Sequence, residues 1–211
     1  MFTGIITGVG RIVAAHSLGN TSDHGKRLTL ETPANYLDDV VPGDSIAVNG
    51  ACMTATSLDL PQNRFCIDMS AESLARTSGL AERGPVNLEK AIRANDRLGG
   101  HMVAGHVDGI GVVTHFLQVG ESWELRIHAP QEMSKYLAYK GSITVNGVSL
   151  TVNRVTDLAG AQAGTEISLN LIPHTVGSTA LKYLKQHERV NLEVDLIARY
   201  VERMLLDARK P

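Results

Sequence analysis

The sequence predicts an all-β protein made of two tandem copies of one small domain, followed by a C-terminal amphipathic helix. Three blocks of sequence recur about a hundred residues apart, which indicates a duplicated domain rather than a short repeat unit. Most apolar residues fall in short alternating or β-branched runs between turn residues, which is the pattern of β-strands. Helical periodicity is confined to the end of the chain.

The recurring blocks keep their order and nearly their spacing. Residues 48–54 (VNGACMT) return as 145–151 (VNGVSLT), 1–10 (MFTGIITGVG) as 102–111 (MVAGHVDGIG), and 86–89 (VNLE) unchanged as 190–193. We therefore predict a first domain over residues 1–90, a second over 91–195 and a helix over 196–211. Copies of about a hundred residues are large enough to have their own hydrophobic cores.

The predicted strands have the same arrangement in both copies. Gly, Pro or Asn residues separate strands at 8–14, 27–32, 45–48 and 64–69, then at 111–114, 124–128, 142–145 and 166–171. Short helical turns are expected at 33–36, 72–80, 130–136 and 175–184. Strands this close together, without long helices between them, are typical of small antiparallel barrels or sandwiches.

The C-terminal segment is predicted to be a helix over residues 196–208. Its apolar residues form one stripe, and charged residues lie off that stripe: Arg199, Glu202 and Arg203. The first copy has no equivalent segment. The helix is expected either to pack on its own barrels or to join subunits.

Composition excludes several classes of protein. The net charge is −2 with both signs interspersed, which argues against a nucleic-acid binder. No apolar run approaches the roughly 18 residues of a membrane span, and the N-terminus lacks the features of a signal peptide. Cys52 and Cys66 give neither a metal-binding spacing nor a disulfide framework, so a cytoplasmic location is expected.

The copies differ at polar positions that could support chemistry. Cys52 in the first copy corresponds to Ser149 in the second, and an apolar core position is an unusual place for that exchange. Cys52 is otherwise read as a small buried hydrophobe. Thr54 and Thr151 follow two residues later, hence on the same strand faces.

One histidine of the second copy has no polar counterpart in the first. His106 replaces Ile5, which favours a role in proton transfer, because histidine exchanges protons near neutral pH. His101 and His106 are five residues apart, a spacing that fits no zinc motif, so no metal is expected. Asp195 directly precedes the predicted helix and is expected to cap it, whatever else it does.

These blocks together resemble the riboflavin synthase family of the alpha-chain type. The similar segments span essentially the whole chain: 1–5, 49–54, 99–109, 146–152, 172–175 and 190–193. The resemblance implies two six-stranded Greek-key β-barrels and a C-terminal helix that assembles a homotrimer. It also implies a transferase without metal or cofactor, which dismutates two molecules of 6,7-dimethyl-8-ribityllumazine into riboflavin and 5-amino-6-ribitylamino-uracil. Association with lumazine synthase is a further expected partnership.

The resemblance also implies a set of site residues. Those expected to be catalytic are Cys52, His106, Lys140, Ser149, Thr151 and Asp195, with Lys140 and Asp195 as a charged pair. Those expected to bind substrate are Phe2, Thr3, Gly4, Ser45, Thr54, Asp68, Ser70, Gly105, Asn170 and Ile172. Phe2 is expected to pack on a substrate ring.

Two other classes of protein share parts of this pattern. The lumazine proteins of luminous bacteria are non-catalytic relatives that hold a lumazine or flavin as an antenna, and they are the alternative function. All six residues expected to be catalytic are present in this sequence, which favours the enzyme over that alternative. A flavin-dependent reductase would need a nicotinamide-binding segment that this sequence lacks.

Overall fold

The N-terminal half forms a closed six-stranded antiparallel barrel. The computed structural model describes residues 1–21 and 23–208. The strands of the first barrel are β1 (Gly8–Ser17), β2 (Lys26–Glu31), β3 (Ser45–Val48), β4 (Ala51–Asp59), β5 (Arg64–Met69) and β6 (Gly84–Lys90). They pair in the order β1-β2-β5-β4-β3-β6 before the barrel closes, which is a Greek-key order.

The second half repeats this barrel strand for strand. Its strands are β7 (Gly109–Val119), β8 (Ser122–Pro130), β9 (Ser142–Val145), β10 (Val148–Leu158), β11 (Gly164–Leu171) and β12 (Arg189–Val194). Their closed order, β7-β8-β11-β10-β9-β12, is the order of the first barrel. The predicted duplication and the Greek-key barrels are confirmed, and the sandwich alternative is wrong.

One short α-helix occupies the same place in each copy. Helix α1 (Ala71–Arg76) follows β5, and α2 (Pro173–Ser178) follows β11. A 3-10 helix over Gln131–Tyr136 follows β8, whereas the expected helical turn at 33–36 is a run of turns over 34–39. Helix α3 (Leu196–Ala208) ends the described chain, and residues 209–211 of the predicted helix lie outside the described residues.

Each barrel has its own core because alternate strand residues point inward. Leu28, Leu30 and Ile67 are fully buried in the first barrel, as are Leu125 and Ile127 in the second. The intervening residues point outward. The polar residues of interest on β4 and β10 belong to this outer set, so the candidate sites lie on barrel surfaces rather than in barrel interiors.

The two barrels meet about an approximate two-fold axis at their Asn-Gly turns. Asn49 and Gly50 have φ of 45° and 84°, and Asn146 and Gly147 have φ of 47° and 81°. Two successive positive φ values are those of the tight turn that joins a β-hairpin. A Cβ on Gly50 would lie 2.7 Å from the backbone nitrogen of Gly147, so the two turns can approach this closely only as glycines.

Two asparagine side chains, one from each copy, tie the barrels together with the same symmetry. Asn87 Nδ2 donates to the Asn146 carbonyl at 2.9 Å, and Asn191 Nδ2 donates to the Asn49 carbonyl at 3.0 Å. Asn87 and Asn191 are both 1% exposed. Each contact therefore has a twin across the axis, as in a symmetric dimer interface.

Helix α3 is attached to the second barrel through its charged side. Asp195 Oδ1 accepts from the Ile197 amide at 2.9 Å, which confirms that it caps the helix. Arg199 donates to Asp108 at 2.6 Å, and Glu202 pairs with Lys135. Among the described residues no helix has the length and apolar character needed to cross a membrane.

Candidate active site

The outer surface of β3, β4 and β5 groups the polar residues of the first barrel. Cys52 and Thr54 point outward from β4, between inward-pointing apolar neighbours. Ser45 on β3 is the register partner of Thr54, and Asp68 points outward from β5. Four residues expected at the site therefore share one outer face of the barrel.

The second barrel has the equivalent face on β9, β10 and β11. Ser149 and Thr151 point outward from β10, and Asn170 points outward from β11. Ile172 follows β11 and is 53% exposed. Lys140 precedes β9 and donates to Asn153 of β10 at 2.8 Å, which places its ammonium group beside the same face.

Each face is bordered by a segment from the other copy. The Cys52 amide donates to the Gly105 carbonyl at 2.8 Å, so the segment that carries His106 lies on the strand that carries Cys52. In the twin contact the Ser149 amide donates to the Gly4 carbonyl, also at 2.8 Å. The segment that crosses to the first barrel carries His106, whereas the segment that crosses to the second barrel carries Ile5 at the equivalent position.

Two buried glutamates hold these crossing segments, and neither of them was expected at the site from the sequence. Glu193 accepts from the amides of residues 104–106 at 2.7–3.0 Å. Glu89 accepts from the Thr3 amide and hydroxyl, both at 2.7 Å, and from the Gly4 amide at 3.0 Å. Burial raises the pKa of both carboxyl groups, that of Glu193 to about 7, against the lowering effect of the bonded amides.

A sequence signal for these glutamates does exist. The VNLE block is repeated without change, and all four of its residues are buried in each copy. A strand with Asn and Glu at buried positions must satisfy those side chains by tertiary hydrogen bonds. The unchanged repeat therefore marks the contact between the copies.

Ser149 has a hydrogen-bond partner that Cys52 does not share. Its hydroxyl lies 2.8 Å from His101 Nδ1, and His101 is only 9% exposed. Burial lowers the pKa of His101, which favours the neutral imidazole. The second face thus carries a serine hydroxyl hydrogen-bonded to a buried histidine, whereas the first face carries a thiol.

Phe2 lies between the copies. It is 1% exposed, packs with Ala47 and Val103, and exchanges backbone hydrogen bonds with Val103. The segment that begins with Phe2 is thereby fixed, and with it Thr3 and Gly4. The expected contact of Phe2 with a substrate ring stays a prediction, because Phe2 is almost completely buried in this chain.

Several expected site residues also have local partners. Asp68 is paired with Arg27 at 2.7 Å, which lowers the pKa of its carboxyl group. Ser70 caps α1 by accepting from the Ser73 amide at 3.0 Å. Lys140 bonds Asn153 and Asp195 caps α3, so the expected pair between these two is not formed within the chain.

The cleft between the barrels does not gather the expected residues. A cleft of about 660 Å³ between the barrels is lined by residues such as Arg83, Tyr183 and Arg189, and by none of those expected at the site. Within residues 1–21 and 23–208, no group of three or more His, Cys, Asp or Glu side chains is placed to hold a metal ion.

Comparison with known proteins gives the same division into two copies. The family model of the lumazine binding domain matches twice, over residues 3–91 and 104–195. Two solved structures share the fold: LumP complexed with 6,7-dimethyl-8-(1'-D-ribityl) lumazine, and LumP complexed with riboflavin. Both have a TM-score of 0.77 over 92% of this chain and 99% of LumP, at 22% and 23% identity.

Curated relatives match over nearly the full chain. The riboflavin synthase of Photobacterium phosphoreum is 44% identical over 98% of this chain and 89% of its own length. That of Mycobacterium tuberculosis is 42% identical over 99% of this chain and all of its own length. That of Bacillus subtilis is 38% identical over all of this chain and 92% of its own length. With two matched lumazine binding domains and these relatives, the chain belongs to the riboflavin synthase family.

Proposed function

We propose that this chain is a transferase that dismutates two molecules of 6,7-dimethyl-8-ribityllumazine. One lumazine gives up a four-carbon unit and leaves as 5-amino-6-ribitylamino-uracil, and the other accepts the unit and becomes riboflavin. The observation that carries this proposal is the 42–44% identity with riboflavin synthases over nearly the whole chain, across both lumazine binding domains. The exchange balances without an added oxidant or reductant, so its chemistry needs no redox cofactor.

The duplicated fold suits a reaction between two identical substrates. Each barrel presents a polar outer face of the same construction, and we assign one lumazine to each face. Holding both ring systems at fixed positions makes an encounter of two dilute molecules effectively intramolecular. The faces differ where the two substrates must behave differently, with a thiol on one and a hydroxyl on the other.

The residue roles follow from what the reaction requires. The C7 methyl group of one lumazine must lose a proton, and we assign proton transfer to His106, whose segment lies on the strand of Cys52. Cys52 orients or transiently adds to the lumazine on its own face. Ser149 and Thr151 donate hydrogen bonds on the second face, and the charges of Lys140 and Asp195 act at its edge.

The polar rims of the two faces supply contacts for the ribityl chain and the pyrimidine edge. We assign these contacts to the side chains or backbone of Ser45, Thr54, Asp68 and Ser70 on the first face, and of Asn170 and Ile172 on the second. The crossing segments 2–5 and 103–106 border the two faces.

We further propose that helix α3 assembles a homotrimer. With its charged side on the second barrel, α3 leaves an apolar stripe in solvent, 48–72% exposed: Ile197, Tyr200, Val201, Met204 and Leu205. A contiguous apolar patch on a surface helix is typical of a subunit contact. In such an assembly the first face of one subunit meets the second face of its neighbour, which closes the site.

We also propose that the protein acts in the cytoplasm. Cys52 and Cys66 are both free, which suits the reducing cytoplasm. Association with lumazine synthase stays a prediction of the family resemblance.

The purified protein mixed with 6,7-dimethyl-8-ribityllumazine alone tests the function. We expect steady formation of riboflavin, measured by visible absorbance, at one riboflavin for every two lumazines consumed. His106→Gln should slow this conversion while leaving lumazine binding intact, and the exposed His16→Gln is the matched surface control. Tight binding of lumazine without riboflavin formation would instead indicate a LumP-like binding protein.

A further inference from the structure

Glu193 makes an unusual contact for a buried carboxylate. It lies on β12, is 3% exposed, and accepts three hydrogen bonds from neutral backbone amides. Oε1 accepts from Ala104 at 2.7 Å, and Oε2 accepts from Gly105 and His106, both at 3.0 Å. One side chain thus satisfies three successive amides of a segment that belongs to no strand or helix.

The opposite side of this segment is fixed on the first barrel. The Gly105 carbonyl accepts from the Cys52 amide at 2.8 Å, and a Cβ on Gly105 would lie 2.7 Å from the Cβ of Cys52. Gly105 also has φ of 80°, so its backbone shape and its closeness to β4 both require glycine. His106 follows directly, and its backbone position is therefore set by Glu193 on one side and by β4 on the other.

The first copy contains an equivalent buried glutamate, but the segment that it holds carries a different side chain. Glu89 holds Thr3 and Gly4, and the next residue is Ile5. The fold therefore needs a glutamate at this place in both copies, but only the second one holds a segment that carries a titratable side chain.

We propose that Glu193 is a positioning residue: its carboxylate fixes the backbone of residues 104–106 against β4 and so sets where the His106 imidazole acts relative to Cys52. This inference rests on the proposed function, in which His106 transfers a proton. Glu193 itself is buried beneath the segment, and it acts on the reaction only through His106.

The ionised form of Glu193 is the one that suits this contact. A carboxylate accepts from all three amides, whereas a protonated carboxyl group directs an O–H donor into a site already filled with donors. Burial raises the pKa of Glu193 to about 7, the amides of Ala104 and Gly105 oppose that shift, and the nearby Asp108 adds to it. Asp108 is itself bonded to Arg199 at 2.6 Å.

A double-mutant cycle tests the inference on the full-length protein. Glu193→Gln should lower kcat on the order of 100-fold, the effect of a misplaced reacting group, with a much smaller change in KM. In the His106→Gln background the same substitution should change kcat by less than about twofold, because its effect passes through His106. The acid limb of the kcat profile should also move in Glu193→Gln.

Glu89→Gln is the matched control. It places the same neutral amide at the equivalent buried position, and its effect on kcat should multiply with that of His106→Gln. If the Glu193→Gln and His106→Gln losses multiply in the same way, or if Glu193→Gln leaves kcat unchanged, Glu193 is only a structural residue and the inference is wrong.

An NMR titration of the wild-type protein decides the question if Glu193→Gln does not fold. The amide resonances of residues 104–106 should shift with one midpoint, shared with the carboxyl carbon of Glu193. Amides that do not respond when that carboxyl group titrates would overturn the inference. A wild-type protein that forms no riboflavin refutes the proposed function instead, and the titration still shows whether Glu193 controls the segment.

Discussion

Replacing Asn191 with alanine measures how strongly the two barrels are joined. Asn191 Oδ1 accepts from the Ser78 amide at 2.7 Å, and Nδ2 donates to the carbonyls of Asn49 and Ser78 at 3.0 and 3.2 Å. Alanine removes all three hydrogen bonds and leaves the Ser78 amide and the carbonyls of Asn49 and Ser78 without the Asn191 side chain as partner. An unpartnered buried polar group costs about 1–3 kcal/mol. Asn49 is buried and Ser78 is half-buried, so we expect a loss of about 3 kcal/mol in the free energy of unfolding.

Urea unfolding at one fixed protein concentration measures this loss. Trp123 is the only tryptophan and lies on β8, so its fluorescence reports the second barrel, whereas far-ultraviolet circular dichroism reports both. Weakening the contact should also separate the two transitions, because coincident transitions require the barrels to unfold as one unit. Gln118→Ala is the control, since it removes an exposed hydrogen bond to the Gly120 carbonyl and should cost less than about 0.5 kcal/mol. An Asn191→Ala protein as stable as Gln118→Ala would refute the reasoning.

Three further predictions follow from the same interface and from α3. Gly50→Ala should destabilise the protein more than Gly43→Ala, because both glycines have positive φ but only Gly50 faces a backbone atom, 2.7 Å away; equal losses in urea unfolding would contradict this. The raised pKa of Glu193 means that the folded state keeps a proton which the unfolded state loses between pH 4.5 and about 7, so the free energy of unfolding should fall as pH rises through that window. Glu193→Gln should reduce this slope, and an unchanged slope would argue against the assignment. Ending the chain before Leu196 should leave folded barrels that sediment as a smaller species, and an unchanged assembly would exclude α3 from the subunit contact.

The local sequence pattern was sufficient to predict the bounds of elements that are flanked by turn residues or that have a distinct apolar periodicity. The predicted strands at 45–48 and 142–145 have the observed bounds of β3 and β9, and helix α3 begins at the predicted Leu196. Strand ends were less predictable. Strand β7 continues to Val119, five residues beyond the predicted 114, with a β-bulge between Val113 and His115. A bulge interrupts the alternation on which the prediction depended.

The predicted helical turn at 33–36 shows another limit of local pattern. Its backbone forms single i→i+3 contacts, such as Tyr36 to the Pro33 carbonyl at 3.2 Å, but no continuous helix. Tyr36 and Leu37 are buried in the first barrel, so packing rather than helix propensity decides the conformation.

The outer positions of the site residues on strands could be predicted, whereas their partners could not. Alternation places Cys52 and Thr54 on one face from sequence alone. The contact of Cys52 with Gly105 joins residues from different copies, and no local pattern indicates which segment crosses to which barrel. The same holds for the bond between Ser149 and His101.

The repeated blocks have a common physical reason. Blocks 48–54, 86–89, 145–151 and 190–193 supply the asparagines and glycines that meet about the two-fold axis. Asn87 hydrogen-bonds both Asn49 of its own copy and Asn146 of the other, and Asn191 does the same with Asn146 and Asn49. Under that symmetry a change on one side must be matched by the other copy, which keeps the blocks alike. Residues that point away from the axis are free of this requirement. Cys52 and Ser149, and likewise Ile5 and His106, differ for that reason: a symmetric interface holds two faces on which the side chains can take different chemical roles.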